Sequence, residues 1–204
     1  RAILNSGKMA CMVDKFLLEP ISKSVFNIVI FGAGHVGAAT VDVLSKLDCN
    51  IRWIDSRKNI LRQLKKEHPK VNTILGDCQK KIKFKKKFFD RIIAIHVLEH
   101  LPNLPATIKE VHRLLKKTGE FLIVIPCEGS LAYSLARKIS AERLFKKRYN
   151  MNYDWFIKTE HVNLPNEIIS VIKEKFTITK TSFFPTYLPL LFCNLCIGMI
   201  FKKK

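Results

Sequence analysis

No apolar run in this 204-residue chain is long enough to cross a bilayer. The nearest candidate, residues 187–201, is broken by Pro189 and Asn194 and followed by lysines, whereas a spanning helix needs about 20 apolar residues. Acidic residues are scarce. Seventeen Asp and Glu stand against 36 Lys and Arg, leaving a formal charge of +19. Such an excess can attract nucleic acid or anionic lipid. Aromatic stacking platforms are not interleaved with the basic residues, however, and the signal for nucleic acid is weak. The densest run, KKIKFKKK at 80–87, lies between two expected strands and reads as a solvated loop. The six cysteines, at 11, 49, 78, 127, 193 and 196, are scattered and several sit in apolar strands, which excludes a secretory disulfide frame. Cys193 and Cys196 form a lone CxxC with no second pair and no nearby histidine, so no zinc is expected there. The first residues lack the charged-then-apolar plan of a signal peptide, and the expected location is cytoplasmic. With 48% hydrophobic and 26% charged residues, the chain is long and apolar enough for one sizeable core.

Residues 26–55, FNIVIFGAGHVGAATVDVLSKLDCNIRWID, organise the rest. An apolar strand, Ile28 to Phe31, enters a turn with Gly32, Gly34 and Gly37 in G-x-G-x-x-G spacing. A helix with Val36, Val43, Leu44 and Leu47 on one side follows, then a strand, Ile51 to Ile54, ending at Asp55. Strand, glycine turn, helix, strand and acid make a nucleotide-binding unit. Gly32 permits the tight turn, Gly34 lets backbone approach a ligand, and Gly37 lets helix and strand pack closely. The helix N-terminus offers unpaired N–H groups to negative charge. Asp55 stands where a carboxylate can accept from both hydroxyls of a ribose.

Residues 1–25 read as a lead-in and 26–204 as one domain. Beyond Asp55 the pattern predicts a helix over 60–68, stopped by Pro69, and a strand over 71–75, closed by Gly76-Asp77. A strand follows over 89–97, then a helix over 104–117 ended by Lys116, Lys117 and Gly119, and a strand over 120–125. Alternation of this kind implies a parallel sheet with helices on both faces, its strand ends facing one crevice. Later segments read as a helix over 131–140, an aromatic loop over 149–155 and a helix over 167–175. Two apolar strands, 176–184 and 191–201, come last. The expected fold is three-layer α/β and Rossmann-like, its mostly parallel sheet finished by an antiparallel C-terminal hairpin.

From about residue 60 onward the chain resembles class I S-adenosylmethionine-dependent methyltransferases. Gly76-Asp77-Cys78, FFDRIIAIHVLEHLPN (88–103) and KEVHRLLKKTGEFLIVIPCEG (109–129) carry the likeness. The resemblance implies S-adenosylmethionine as cofactor and methyl transfer to an acceptor that the residues do not name, a small or lipid-like molecule. It places Asp77 and Cys78 at the adenine, the strand end 94–97 against the cofactor with His96 flanking it, and Gly32, Ala33 and Gly34 in the cofactor turn. Asp55, with Ser56 beside it, keeps the ribose.

Residues 2–58, with GKMACMVDKFLLEP and VIFGAGHVGAATVDVLSKLDCNIRWIDSR, are similar instead to the nucleotide-binding domain of xanthine dehydrogenase accessory proteins, which mature molybdenum enzymes. The two likenesses meet near 56–60, as in a fusion of related sheets. This second likeness implies NAD(P) as the alternative cofactor and a non-enzymatic accessory role; a folded but inactive fusion is a further alternative. Methyltransferases of this class carry an acid two residues before the first glycine, in a pattern like E-x-G-x-G-x-G. Here Ile30 stands there, and Val36 takes the third glycine's place.

Methyl transfer is an in-line displacement needing alignment and exclusion of water, with no metal and often no strong base. His96, Glu99, His100, Tyr153 and His161 are the polar residues expected near the crevice, and none is assigned a catalytic role. His96, Glu99 and His100 spell H-x-x-E-H, an inverted zinc-protease motif. That chemistry wants both histidines on one helix face, whereas His96 ends a strand and Pro102 follows closely, so no metal is expected from this motif.

Overall fold

The structure, a computed structural model, describes residues 26–32, 40, 44 and 49–204. Ala33, Gly34, Gly37, most of the first helix and the lead-in 1–25 lie outside the described residues. Seven strands form one sheet: β1 (Phe26–Phe31), β2 (Cys49–Asp55), β3 (Asn72–Leu75), β4 (Phe89–Ile95), β5 (Leu115–Pro126), β6 (Phe176–Phe184) and β7 (Cys196–Lys203). Their order is β3-β2-β1-β4-β5-β7-β6. The first five pair in parallel, while β7 runs antiparallel to both β5 and β6. This is the expected mostly parallel sheet with an antiparallel C-terminal pair.

Successive side chains of a strand point to opposite faces, and β1 is apolar on both. Ile28 and Ile30 pack with Leu44, Trp53, Leu61 and Leu64 on one side. Val29 and Phe31 pack with Leu104, Ile108, Val111 and Ile168 on the other. A strand buried on both faces requires helices above and below. They are α1 (Lys58–Glu67) on the first side, with α2 (Leu104–Leu114) and α6 (Pro165–Lys173) on the second. Phe31, Phe89, Phe121, Phe176 and Phe201 are fully buried, each worth about 1.5–3 kcal/mol of burial.

Between β1 and β4 the strand order reverses direction, and this switch point opens the crevice. Backbone bonds hold its rim: Gly32 N–H to the Ile54 carbonyl at 3.1 Å, Gly76 N–H to the Asp55 carbonyl at 3.1 Å, and His96 N–H to the Val124 carbonyl at 2.9 Å.

Three expectations are corrected. The helix predicted over 104–117 ends at Leu114, because Leu115 already pairs with Phe89 as the start of β5. The register then slips between Phe89 and Arg91. Gly119 approaches so closely there that a Cβ would lie 2.8 Å from the Asp90 carbonyl oxygen. The stretch expected as an aromatic loop to residue 155 becomes helical at Tyr153, since Asn152 accepts the Trp155 N–H at 3.1 Å as an N-cap. That helix, α5 (Tyr153–Glu160), follows α3 (Leu131–Arg137), a wide turn over Lys138–Glu142 and α4 (Arg143–Tyr149). β7 begins at Cys196 rather than residue 191, after a single turn over Leu191–Cys193.

Candidate active site

A cleft of about 550 Å³ lies at the switch point, lined among others by Gly32, Asp55, Ser56, Asp77, Cys78 and His96. These are all the described members of the cofactor set read from the sequence. They come from the carboxyl ends of β1, β2, β3 and β4, which the parallel pairing puts side by side. Ala33 and Gly34 belong to the same expectation but fall outside the described residues.

Asp55 is 5% exposed and is held in one orientation. Its Oδ1 accepts the backbone N–H of Arg57 at 2.8 Å, and the Arg57 guanidinium spans both carboxylate oxygens, at 3.0 and 3.1 Å. The hydrogen bond to Asp55 raises the Arg57 pKa above its ordinary value. Asp77 opens the next turn, with Oδ1 accepting from the Gln79 backbone at 2.9 Å. Burial, then the neighbouring Asp77 charge, push the Cys78 thiol up to about 12, which disfavours the thiolate that a nucleophile would need. Gly32 has φ +80°, and a Cβ there would collide with Val97 Cγ2. His96 also takes a left-handed conformation, φ 51°, uncommon outside glycine and found at functional sites more than elsewhere.

Beside His96 lies a polar cluster. Glu99, in the single turn Leu98–His100, is 1% exposed and its Oε1 is 3.3 Å from His96 Nδ1. Burial alone would push its carboxyl up. The His96 hydrogen bond and charge, its own backbone N–H and the His100 charge outweigh that and hold it below the usual range. His161, just past α5, meets Glu128 Oε2 through Nδ1 at 2.6 Å, and the His100 and His161 rings meet edge to face.

A second cavity, of about 330 Å³, opens beside Glu128 between the end of β5 and the β6–β7 connection; Gly129, Ser130, Leu164, Leu191 and Phe192 line it. Nothing in the sequence pattern marked it, because its walls come from three separated segments, 127–130, 164–166 and 191–192. Arg57, Gln79, Val97 and Glu160 likewise line the first cleft without a spacing that would have singled them out.

Comparison with known proteins agrees with this geometry. A sequence profile described as methyltransferase domain matches residues 31–123, a span that includes residues 56–60. Ubiquinone biosynthesis O-methyltransferase of Pelagibacter ubique is 29% identical over 170 residues, covering 80% of this chain and 67% of that protein. Among solved structures, the TehB-like methyltransferase of Corynebacterium glutamicum superposes with TM-score 0.66 at 15% identity, over 94% of this chain and 87% of that one. The N-methyltransferase NodS of Bradyrhizobium japonicum, solved with S-adenosyl-L-homocysteine, gives 0.63 at 15% identity, over 94% and 86%. The fold is the one these methyltransferases share, and the methyltransferase-domain profile covers a little under half of the chain.

Proposed function

We propose that the chain binds S-adenosylmethionine in the 550 Å³ cleft and passes its methyl group to a small acceptor with an apolar body, held in the 330 Å³ cavity alongside. The convergence of Gly32, Asp55, Asp77, Cys78 and His96 on one cleft at the switch point carries this reading. The cleft volume lies within the range of small-molecule sites, about 300–1,000 Å³. In the proposal Asp55 accepts from the ribose hydroxyls, displacing Arg57, with Ser56 beside it. Asp77 and Cys78 border the adenine, Gly32 to Gly34 form the turn under the cofactor, and His96 flanks it.

The fit departs from the family pattern at one point. Ile30 is fully buried among Trp53, Leu44 and Ile93, so no carboxylate is offered there to the amino-acid end of the cofactor. The chain's own contribution to chemistry is alignment: an acceptor lone pair is set in line with the sulfonium methyl, and water is kept out. Leu191 and Phe192 in the cavity lining favour an apolar acceptor, in keeping with the relative named for ubiquinone biosynthesis. A cytoplasmic setting is part of the same proposal, supported by Cys78, Cys127 and Cys196, all free and buried.

The second reading, NAD(P) bound by an accessory module, rests on residues 2–58 and on Asp55, whose place beside a ribose is common to both families. Calorimetric titration with S-adenosylmethionine, S-adenosylhomocysteine and NAD, beside Asp77→Ala, separates the two. Micromolar binding of the first two, lost in the variant, is the expected result. Binding of NAD alone would give the site to the accessory reading, and no binding by a cooperatively melting protein would mean an inactive fusion.

A further inference from the structure

We propose that Glu99, His100 and His161 form a binding site for a divalent transition-metal ion, zinc foremost, at the edge of the cofactor cleft. One ligand atom from each lies within 4.8 Å of the other two, and His100 Nε2 stands 3.9 Å from Glu99 Oε1. Bonds of ~2.0–2.1 Å at tetrahedral angles put ligand atoms about 3.3 Å apart, so modest side-chain closure completes the set.

Two further observations point to a ligand. Glu99 Oε2 is buried without a hydrogen-bond partner, and an ionised carboxylate oxygen left so is costly unless a cation meets it. Both imidazoles are also held as metal-binding imidazoles are. His100 Nδ1 lies 2.9 Å from the Glu160 carbonyl oxygen, and His161 Nδ1 lies 2.6 Å from Glu128 Oε2. Each of these partners accepts, so the neutral tautomer that donates from Nδ1 offers its Nε2 lone pair to a metal.

The backbone fixes the arrangement. Val162 and Asn163 donate their N–H groups to the Glu99 carbonyl at 2.9 and 3.2 Å. The Asn163 side chain donates to the Leu98 and Leu101 carbonyls at 2.8 and 2.7 Å. His161 is thereby clamped over the turn bearing Glu99 and His100. The donor set is thus not the H-x-x-E-H of the sequence: His161 replaces His96, which orients the Glu99 carboxylate. Two imidazole nitrogens with one carboxylate suit zinc, whereas magnesium and calcium prefer oxygen throughout. Three protein ligands leave a fourth position for water or an acceptor oxygen. The metal alone is the probe, so the site can be tested independently of methyl transfer.

The full chain, stripped with a chelator, would be titrated with Zn²⁺ by calorimetry and with Co²⁺ by visible absorption, beside His100→Ala, His161→Ala and Glu128→Gln. His100→Ala removes a partly exposed ring and should keep the fold, checked by a cooperative melt. One equivalent of Zn²⁺ is expected, with tetrahedral-type Co²⁺ bands. Binding should fall by at least about tenfold in each ligand variant, and in Glu128→Gln by the ~10–100-fold typical of a lost supporting contact. Absence of binding, or binding equal in wild type and all three variants (as thiol ligation would give), overturns the proposal. S-adenosylhomocysteine titrated into the same preparation separates failure of the metal site from failure of the cofactor site.

Discussion

Replacing Asp55 by Asn tests the cofactor site at its most constrained side chain. Asn keeps an Oδ1 able to accept the Arg57 backbone N–H, now 2.8 Å from the carboxylate, so the turn after β2 should persist. What disappears is the negative charge that the proposed site offers to the ribose hydroxyls. A hydrogen bond to a charged group contributes about 1.5–3 kcal/mol, which converts to an affinity loss of roughly 10- to 150-fold. Arg57 competes for the same oxygens, but its side chain is 56% exposed, and such a pair is worth about 1 kcal/mol or less. Arg57→Ala should therefore tighten binding by no more than about fivefold. Titration of S-adenosylhomocysteine into wild type, both single variants and the double variant reads these effects directly. A folded Asp55→Asn protein that binds as tightly as wild type would refute the ribose assignment. Arg57→Ala binding tenfold more weakly would refute the competition, since Arg57 would then be orienting Asp55 for the ligand.

Two further predictions concern what holds the site in place. Gly32→Ala should destabilise twice over: the left-handed backbone costs about 1–2 kcal/mol, and the new Cβ strikes Val97 Cγ2. Adding Val97→Ala should recover only the contact part in thermal melts; full recovery to the level of Val97→Ala alone would show that the backbone carries no strain. Glu110 accepts the Ile82 N–H at 2.8 Å and two guanidinium N–H groups of Arg113 at 2.8 and 2.6 Å. Burial pushes its carboxyl up, but Arg113, the Ile82 N–H and Lys81 outweigh burial and leave it below the ordinary range. A depressed folded pKa gives stability that is full above the unfolded value, about 4.3, and lost as pH falls through the folded value. Glu110→Gln should cost about 1–3 kcal/mol at pH 7, with the gap to wild type closing in strong acid. A gap independent of pH in urea melts would rule this out.

The fold was legible because alternation and apolar runs report burial directly. Ile28 to Phe31 had to be covered on both faces, and Gly76-Asp77 and Pro126 mark where strands end. The grouping of the candidate residues was legible for a related reason: parallel strands deliver their carboxyl ends to one edge, so Asp55, Asp77 and His96 had to meet there. Pairings between distant segments were not legible. The early end of α2 at Leu114 follows from Leu115 meeting Phe89 in the neighbouring strand, which local helix signals do not register. The N-cap Asn152 lay inside a run whose aromatics suggested a loop. His161 could be listed as a polar residue, but only the Asn163 clamp shows which turn it covers.

The placement of β7 between β5 and β6 also sets an order of events on the ribosome. Among the described strands β6 pairs with β7 alone, so a nascent chain that has emerged through Phe184 holds a strand with nowhere to dock. Until residues 196–203 follow, β5 presents an open apolar edge, with Phe121, Ile123 and Ile125 alternating along it, and unpaired edges of this kind recruit other chains. Translation that stalls in the β6–β7 connection would leave its most adhesive product, and assembly of the sheet is gated by the emergence of a strand that does not line the switch-point cleft.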